Sequence, residues 1–382
     1  MSSAKRCSNL DKLFLVRTYW LTQMAPACAV PQLFRALLGR ARWRRERSQV
    51  WQVGLVPIVA FTLLAIPAYA GAHPVKLRVP RGLEEQALII PEDNPMSPEK
   101  IALGKQLYFD TRWSRAKTVS CSSCHNPEKG WSDDRQFPVN SAEGPTRRRP
   151  PTLINRAFSA LQGWSGDRKS IEDLVHHHGF SSSESIVRNL GPVRAYQEQF
   201  QRVFGTGVTA EGVAKAIAAY QRTILSGNSP YDRFKAGDGN ALSPAAHRGL
   251  SLFEGKARCA KCHAGFNFTD EGYHNAGVGM DKEKPDLGRY QVTKRAANKG
   301  AFKTPTLRDV ARRGPYMHDG SLRTLREVIA FYNRGGLPNP WLSPDKVPLN
   351  LMPQEQEDLI AFLESLTGQV QADVAVPPAL PE

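Results

Sequence analysis

The chain has 382 residues, of which 41% are hydrophobic, and it carries a formal net charge of +15. The positive charge is uneven, because residues 1–50 hold ten lysines and arginines against two acidic residues, while the remaining chain carries about +7. No basic patch with interleaved aromatic residues stands out in that remainder, which argues against a nucleic-acid partner. The length is sufficient for two domains, each with a sizeable core.

Residues 1–70 have the features of a leader. An apolar run at 53–70 follows the basic stretch Arg40–Arg47 and ends in Ala68-Tyr69-Ala70, a small-residue cleavage signal. We therefore predict a secretory signal peptide and a periplasmic mature protein. An uncleaved N-terminal membrane anchor is the alternative interpretation of the same run.

The first half of the mature chain is predicted to be helical. Residues 71–96 are rich in proline and polar residues and are typical of an extended lead-in. Ser97-Pro98 then predicts a helix, with serine as the N-cap and proline at the first helical position. Further helices are predicted after Ser170 and at 209–225, and the glycine- and proline-containing segment 226–240 is predicted to be a linker.

The second half repeats part of this pattern. Ser243-Pro244 again predicts the start of a helix, and Gly249-x-x-Leu252 matches Gly104-x-x-Leu107 of the first half. This weak internal repeat indicates a duplication. Two more helices are predicted, one from the Thr324 cap through Tyr332 and one at about 353–366. Few segments resemble strands, so we predict a mainly α protein.

The pentapeptide C-x-x-C-H occurs twice, at 121–125 and at 259–263. It is the attachment signature of c-type haem, in which the two thiols add to the haem vinyl groups and the adjacent histidine binds the iron. The two copies use every cysteine outside the leader, which contains Cys7 and Cys28. We predict two covalently bound c-type haems in tandem cytochrome c-like domains, 71–240 and 241–382. A zinc or thiol redox site is the alternative, which export and the second copy oppose.

Longer motifs make the chain similar to a known family. With both haem motifs, the stretches FKTPTLRDVA, GPYMHDGS and TLREVIAFYNRGG resemble the bacterial di-haem cytochrome c peroxidase/MauG family, over about residues 90–370. Within this family the chain is more similar to MauG, and more similar still to MbnH-type di-haem enzymes, which the stretches TILSGNSPYDRF, CHAGFNFTD and YHNAG resemble. The resemblance implies that one haem reacts with hydrogen peroxide while the second relays or stores electrons.

The resemblance also implies roles for individual residues. His125 is then the proximal ligand of the peroxidatic haem, and His263 is the ligand of the second haem. Tyr332 stands where true peroxidases have the second haem's methionine ligand. Trp164 falls at the inter-haem tryptophan and Glu184 at the distal acid–base glutamate. The haem-attachment residues are Cys121, Cys124, His125, Cys259, Cys262 and His263.

Each role has a simpler alternative. For Tyr332 and for Trp164 the less favoured alternative is an ordinary core aromatic residue, and for Glu184 the alternative is a solvated loop acid in the serine-rich stretch 181–185. In reductively activated peroxidases, a distal histidine occupies the position that corresponds to about Ser141 here. Because this position holds no histidine, we expect the first haem to have an open coordination site. In the run at 176–178, we expect one histidine to face the haem pocket and the other two to be solvated.

Some positions depart from the family pattern. Arg149 replaces the asparagine that binds calcium between the haems, and Arg313 replaces a nearby threonine. Calcium is therefore doubtful, and we hypothesise that an arginine cation takes its place. Ala257 stands where MauG has a surface tryptophan used for long-range oxidation of its partner.

Three functions compete at this point. The first is peroxide-driven oxidation of a protein partner, which Tyr332 and the absent distal histidine favour. The second is a cytochrome c peroxidase that reduces hydrogen peroxide with electrons from a small cytochrome or cupredoxin. The third is a non-enzymatic di-haem electron carrier. The sequence leaves the oligomeric state open, with a dimer among the options.

Overall fold

The computed structural model describes residues 75–138, 148–178 and 181–382, and these residues form mainly helices. The predicted leader and Ser141 lie outside the described residues. The helices are α1 (Pro98–Phe109), α2 (Ile171–His176), α3 (Ser183–Leu190), α4 (Arg194–Phe204), α5 (Ala210–Gln221), α6 (Pro230–Lys235), α7 (Pro244–Glu254), α8 (Tyr290–Thr293), α9 (Leu325–Asn333), α10 (Pro353–Glu364) and α11 (Ala372–Ala375). Within these ranges, no helix has both the length and the apolar character that crossing a bilayer requires.

The strand content is small, as predicted. β1 (Tyr273–His274) and β2 (Phe302–Lys303) form an antiparallel pair in which Tyr273 lies opposite Lys303. The mainly α class is thus confirmed, since the rest of the described chain is helices, short 3-10 turns and loops.

Two helices begin at the predicted caps. The Ser97 hydroxyl accepts a hydrogen bond from the backbone N–H of Lys100 at 3.2 Å, and the Ser243 hydroxyl accepts one from Ala246 at 3.2 Å. Each cap satisfies an amide that the first helical turn leaves unpaired, and the proline that follows has no amide to satisfy. The two halves therefore start their first helix in the same way.

The internal repeat corresponds to two close helix pairs. α1 packs against α5, and α7 packs against α10. A Cβ atom on Gly104 would lie 1.8 Å from the carbonyl oxygen of Ala216, and one on Gly249 would lie 1.9 Å from that of Asp358. Only glycine permits such a close approach of two backbones. The matched glycines of the sequence repeat therefore permit the same close approach of two helices in both halves.

Apolar side chains form separate clusters around these pairs. One cluster surrounds α1, α2 and α5 and includes Leu103, Ile186 and Ile217. Another surrounds α7, α9 and α10 and includes Phe253 and Phe362. Each cluster borders one haem motif, so burial of the apolar helix faces positions both motifs.

The predicted linker contains a helix. Ser229 caps α6, and the carboxylate of Asp232 in its first turn accepts hydrogen bonds from the Ser229 backbone and hydroxyl. Asp232 also pairs with Arg308, with both side chains 1% exposed. The glycine and proline residues of this segment predicted a linker. The buried ion pair and the packing of Tyr231 on Phe268 stabilise a helix there instead. The domain boundary at 240 stays a prediction.

Candidate haem sites

The two haem motifs have the same backbone geometry. Each begins in a 3-10 turn, at Cys121–Ser123 and Cys259–Lys261. In both, the histidine N–H donates to the first cysteine's carbonyl oxygen at 2.9 Å, and the second cysteine's N–H donates to it at 3.2 Å. One turn therefore presents two thiols and an imidazole together. None of the four cysteines is in a disulfide, so all are available for thioether bonds.

A cavity borders the first motif. Cys121, Cys124 and His125 line it, and its walls are mostly apolar around a few polar side chains. The other lining side chains include Trp113, Arg149, Arg156, Gln162, Trp164, Asp167, Leu174, Val175 and His178. A largely apolar cavity beside two thiols and an imidazole fits a c-type haem.

A second cavity borders the second motif. Both His263 and Tyr332 line it, together with Cys262, and Cys259 lines the adjoining space. The side chains around them include Arg149, Trp164, Phe302, Arg313, His318, Val328, Lys346 and Leu363. The structure therefore brings together the histidine and the tyrosine that the sequence predicted as ligands of one haem.

The His263 ring is held in a suitable orientation for metal binding. Its Nδ1 is 2.9 Å from the carbonyl oxygen of Phe268, which favours a proton on Nδ1 and leaves Nε2 free to bind iron. The His125 ring lies near the carbonyl groups of Trp131 and Pro151. Burial lowers the pKa of both histidines to about 4, so both rings are neutral at neutral pH, as an iron ligand requires.

Tyr332 lies in the last turn of α9. Burial, with the nearby sulfur atoms of Cys259 and Cys262, raises its pKa to about 12. The Lys346 ammonium lies 5.7 Å from the centre of its ring. At neutral pH this phenol keeps its proton unless a metal cation binds the oxygen, because bound cations stabilise the deprotonated form.

Trp164 lines both cavities. Its indole N–H donates to the carbonyl oxygen of Arg149 at 2.8 Å, and its own carbonyl accepts from the Lys303 N–H at 2.9 Å. Residues Arg149, Pro151 and Thr152 border both cavities as well. One short stretch of chain and one indole thus form a wall common to both sites.

Glu184 is not among the residues that line the first cavity. It lies in the exposed first turn of α3, where its own backbone N–H and the Ser182 hydroxyl lower the pKa of its carboxyl group. The sequence placed this serine-rich stretch in a loop, but Ser182 caps a helix there. Its placement matches the alternative of a solvated acid.

His178 instead lines the first cavity, whereas His176 and His177 are exposed. It packs edge-to-face on Trp113, with ring centres 6.1 Å apart. Burial, with a smaller effect from Arg168, lowers the pKa of His178 to about 4. One histidine of the run therefore faces the pocket, as expected.

One group of side chains bears on the zinc alternative. Ligand atoms of Cys262, Asp270 and His274 lie within 4.8 Å of one another. This trio includes neither Cys259 nor His263, whereas a structural zinc site takes four ligands and would use the closely spaced cysteine pair of such a motif. A thioether at Cys262 would leave only an Asp–His pair, so the geometry favours haem attachment.

Several cavity residues were not predicted from the sequence. Gln162 and Lys346 come from loops without a recognisable motif. Phe302 and His318 stack with ring centres 3.5 Å apart on the wall of the second cavity. Both belong to stretches that the family resemblance singled out, which was the available signal for them.

Comparison with known proteins agrees with this geometry. Residues 98–240 match the family model described as di-haem cytochrome c peroxidase. The methylamine utilization protein MauG of Methylorubrum extorquens is 40% identical over 74% of this chain and 82% of its own length. The cytochrome c551 peroxidase of Pseudomonas aeruginosa is 32% identical over 72% of this chain and 80% of its own length.

A solved structure shares the fold. The crystal structure of a MauG-like protein associated with microbial copper homeostasis superposes with a TM-score of 0.70 and 29% identity, covering 80% of this chain and 98% of that one. The tandem cytochrome c-like architecture and the two covalent c-type haems follow from this kinship. The chain therefore belongs to the di-haem cytochrome c peroxidase/MauG family and is a haem-dependent oxidoreductase that reacts with peroxide.

Proposed function

We propose that this protein uses hydrogen peroxide to oxidise a partner protein in the periplasm. His125 would hold the haem that supplies the chemistry with peroxide, and His263 and Tyr332 would hold the second haem, which would store the oxidising equivalents. The observation that carries the proposal is that Tyr332 and His263 line one cavity while Trp164 lines both. The cleavage signal at 68–70 supports export, which c-type haem attachment also favours.

When bound, the haems supply iron that reduces peroxide and takes up the two oxidising equivalents. Hydrogen peroxide accepts two electrons and two protons and gives two water molecules, and the electrons come from the partner protein. A tyrosinate ligand stabilises oxidised iron more than methionine does, because the axial ligand is a main determinant of the haem potential. Tyr332 therefore favours storage of oxidising equivalents over rapid electron entry.

Proton transfer in this scheme needs a side chain within the first cavity. His178 meets this requirement, because it is neutral at neutral pH, lines the cavity and can accept a proton from peroxide. Glu184 is exposed and does not line the cavity. We therefore assign proton transfer to His178, and the two residues can be separated by experiment.

The partner is expected to differ from the partner of MauG in methylamine utilization. Ala257 stands where MauG has its surface tryptophan, and Ala257 is 4% exposed. A buried methyl group cannot relay oxidising equivalents to a docked protein. The side chain of the partner that is oxidised must therefore be reached by another route, such as direct docking near the second haem. We propose that this side chain is a tryptophan.

A cytochrome c peroxidase is the second candidate. The similarity to cytochrome c551 peroxidase favours it, and it predicts rapid steady-state turnover with reduced cytochrome c or a cupredoxin. The two candidates differ in what happens to the oxidising equivalents, since the peroxidase consumes them at once.

The deciding experiment adds one equivalent of hydrogen peroxide to the diferric protein and follows the optical and EPR spectra. We expect one high-spin and one low-spin haem before addition, and a long-lived oxidised state afterwards. Two low-spin haems without reaction would overturn the proposal. Fast turnover with reduced cytochrome c and no stored state would favour the peroxidase instead.

The assignment of proton transfer is tested with three variants. H178Q should slow the reaction with peroxide at least tenfold, whereas H176Q, a change at the exposed histidine that ends α2, should leave it unchanged. If E184Q slows the reaction and H178Q does not, proton transfer belongs to Glu184. The spin state of the ferric haem in H178Q shows whether the variant also changes iron coordination.

A further inference from the structure

Two buried arginines line the cavities beside the haem motifs. Arg149 is 5% exposed and Arg313 is 6% exposed. Arg149 donates to the carbonyl oxygen of Arg313 at 3.0 Å, to the Ser132 hydroxyl at 2.9 Å and to the Asp133 carbonyl at 2.7 Å. Arg313 donates to the carbonyl oxygen of Thr306. These side chains therefore connect the segment after the first motif to the segment after the second.

All of these acceptors are neutral, so they do not balance the charge of the guanidinium groups. The nearest carboxylates are engaged elsewhere: Asp133 is held by Arg135 at 2.7 Å, and Asp309 accepts from the Ser226 hydroxyl and lies 3.6 Å from Arg312. If both carboxylates are ionised, these four arginines still exceed them by two charges. Unbalanced charge is costly in a buried setting.

Both groups nevertheless remain cations. Burial lowers the pKa of each to about 10, and the neighbouring Arg149 contributes to the lowering for Arg313. At neutral pH each therefore keeps its proton and needs an anion. Two other cations of the cavity walls already have one, since Arg148 pairs with Asp286 at 2.6 Å and Lys303 with Glu271 at 2.6 Å.

The missing anions belong in the cavities. Arg149 lines both cavities and Arg313 lines the second. The Nε of Arg149 is buried and has no hydrogen-bond partner in the described part of the chain. Every haem carries two propionate carboxylates, which match a guanidinium in charge and geometry.

We propose that Arg149 and Arg313 form a binding site for haem propionates and supply the positive charge between the two haems without a metal ion. Arg149 serves both haems and Arg313 serves the second. This inference rests on the two covalent haems and not on the oxidation of a partner protein. It also gives the hypothesis of an arginine in place of calcium a specific anion to bind.

The test measures the reduction potential of each haem in the full-length holoprotein. A cation beside a haem stabilises the reduced iron, so R149Q should lower both potentials and R313Q should lower that of the second haem alone. R149K keeps the positive charge but loses the paired N–H donors of the guanidinium. Its reduction potentials should therefore lie between those of the wild type and R149Q. R312Q, at an exposed arginine next to Arg313, is the matched control and should leave both potentials unchanged.

Calcium is tested on the same protein with the metal alone. Titration of calcium into chelator-treated wild type should show no stoichiometric binding and no change in spectrum or potential. Stoichiometric calcium whose removal shifts the potentials would overturn the inference, and so would wild-type potentials in both R149Q and R313Q. If R149Q fails to accumulate with two haems, R149K and R313Q decide the matter. The measurement needs neither peroxide nor a partner, so it stands apart from the proposed function.

Discussion

The glycine at the α7–α10 crossing provides a quantitative test of the packing. In Gly249→Ala, the new methyl group would lie 1.9 Å from the Asp358 carbonyl oxygen and 2.7 Å from its carbon. Ordinary contacts between such atoms are about 3.5 Å, so the two helices must separate by more than about 1 Å. The obstacle is backbone, which cannot rotate away as a side chain does.

Overpacking of this kind costs about 1 to 3 kcal/mol, and the upper end applies to a backbone clash. The gain in helix propensity from glycine to alanine returns about 1 kcal/mol. We therefore expect a net loss of about 2 kcal/mol in the free energy of unfolding. With an unfolding entropy of about 2.1 cal/mol/K per residue over the roughly 310 residues after the predicted leader, that loss lowers Tm by roughly 3 °C.

The assay is thermal unfolding of the haem-loaded protein, followed by far-UV circular dichroism and by the Soret band. Gly104→Ala should behave similarly, because its methyl group would lie 1.8 Å from the Ala216 carbonyl oxygen. Gly239→Ala is the matched control, since no atom lies within 4 Å of the position of its methyl group. A Tm for Gly249→Ala at or above that of the wild type, with both haems attached, would refute the reasoning.

Three further predictions concern the ligand, a buried ion pair and acid stability. Tyr332→His should abolish the long-lived oxidised state while both haems stay attached, and EPR after peroxide addition checks this; a persistent state contradicts the role of Tyr332. Arg308→Met leaves the buried carboxylate of Asp232 unpaired and should cost about 3 to 5 kcal/mol in urea unfolding, and an unchanged midpoint would count against it. Burial lowers the pKa of His318 to about 4, so the unfolded state binds more protons than the folded state between pH 6.5 and 4. The free energy of unfolding therefore decreases as the pH is lowered through this range. The contribution of His318 is about 1.4 kcal/mol per pH unit; His318→Gln should reduce the slope by about this amount between pH 6.5 and 4, and equal slopes would exclude it.

Local signals in the sequence predicted much of the fold. The caps at Ser97 and Ser243 and the glycines at 104 and 249 have local causes, namely an unpaired amide and a close backbone approach. α6 was missed because its stability comes from Arg308, 76 residues away in sequence, and not from its own composition. Turn residues at 226–240 could not reveal that distant partner.

The haem sites show the same division. The attachment residues are predictable because all three functional groups of each motif lie within one turn. Glu184 and His178 are not separable by spacing, since their positions relative to the cavity depend on where α2 ends and α3 begins. The buried arginines at 149 and 313 were visible as departures from a pattern, but their shared neutral surroundings required the three-dimensional structure.

The wall common to both cavities has a consequence for how this protein can change. A substitution at Arg149, Pro151, Thr152 or Trp164 alters the surroundings of both irons at once, so its effects on the two cannot be selected separately. Substitutions that affect one haem alone are available at residues that line a single cavity, for example at Leu174 for the first haem and Val328 for the second. A library of paired substitutions should therefore show strong epistasis along the common wall. Pairs that combine one residue from each unshared lining should have near-additive effects.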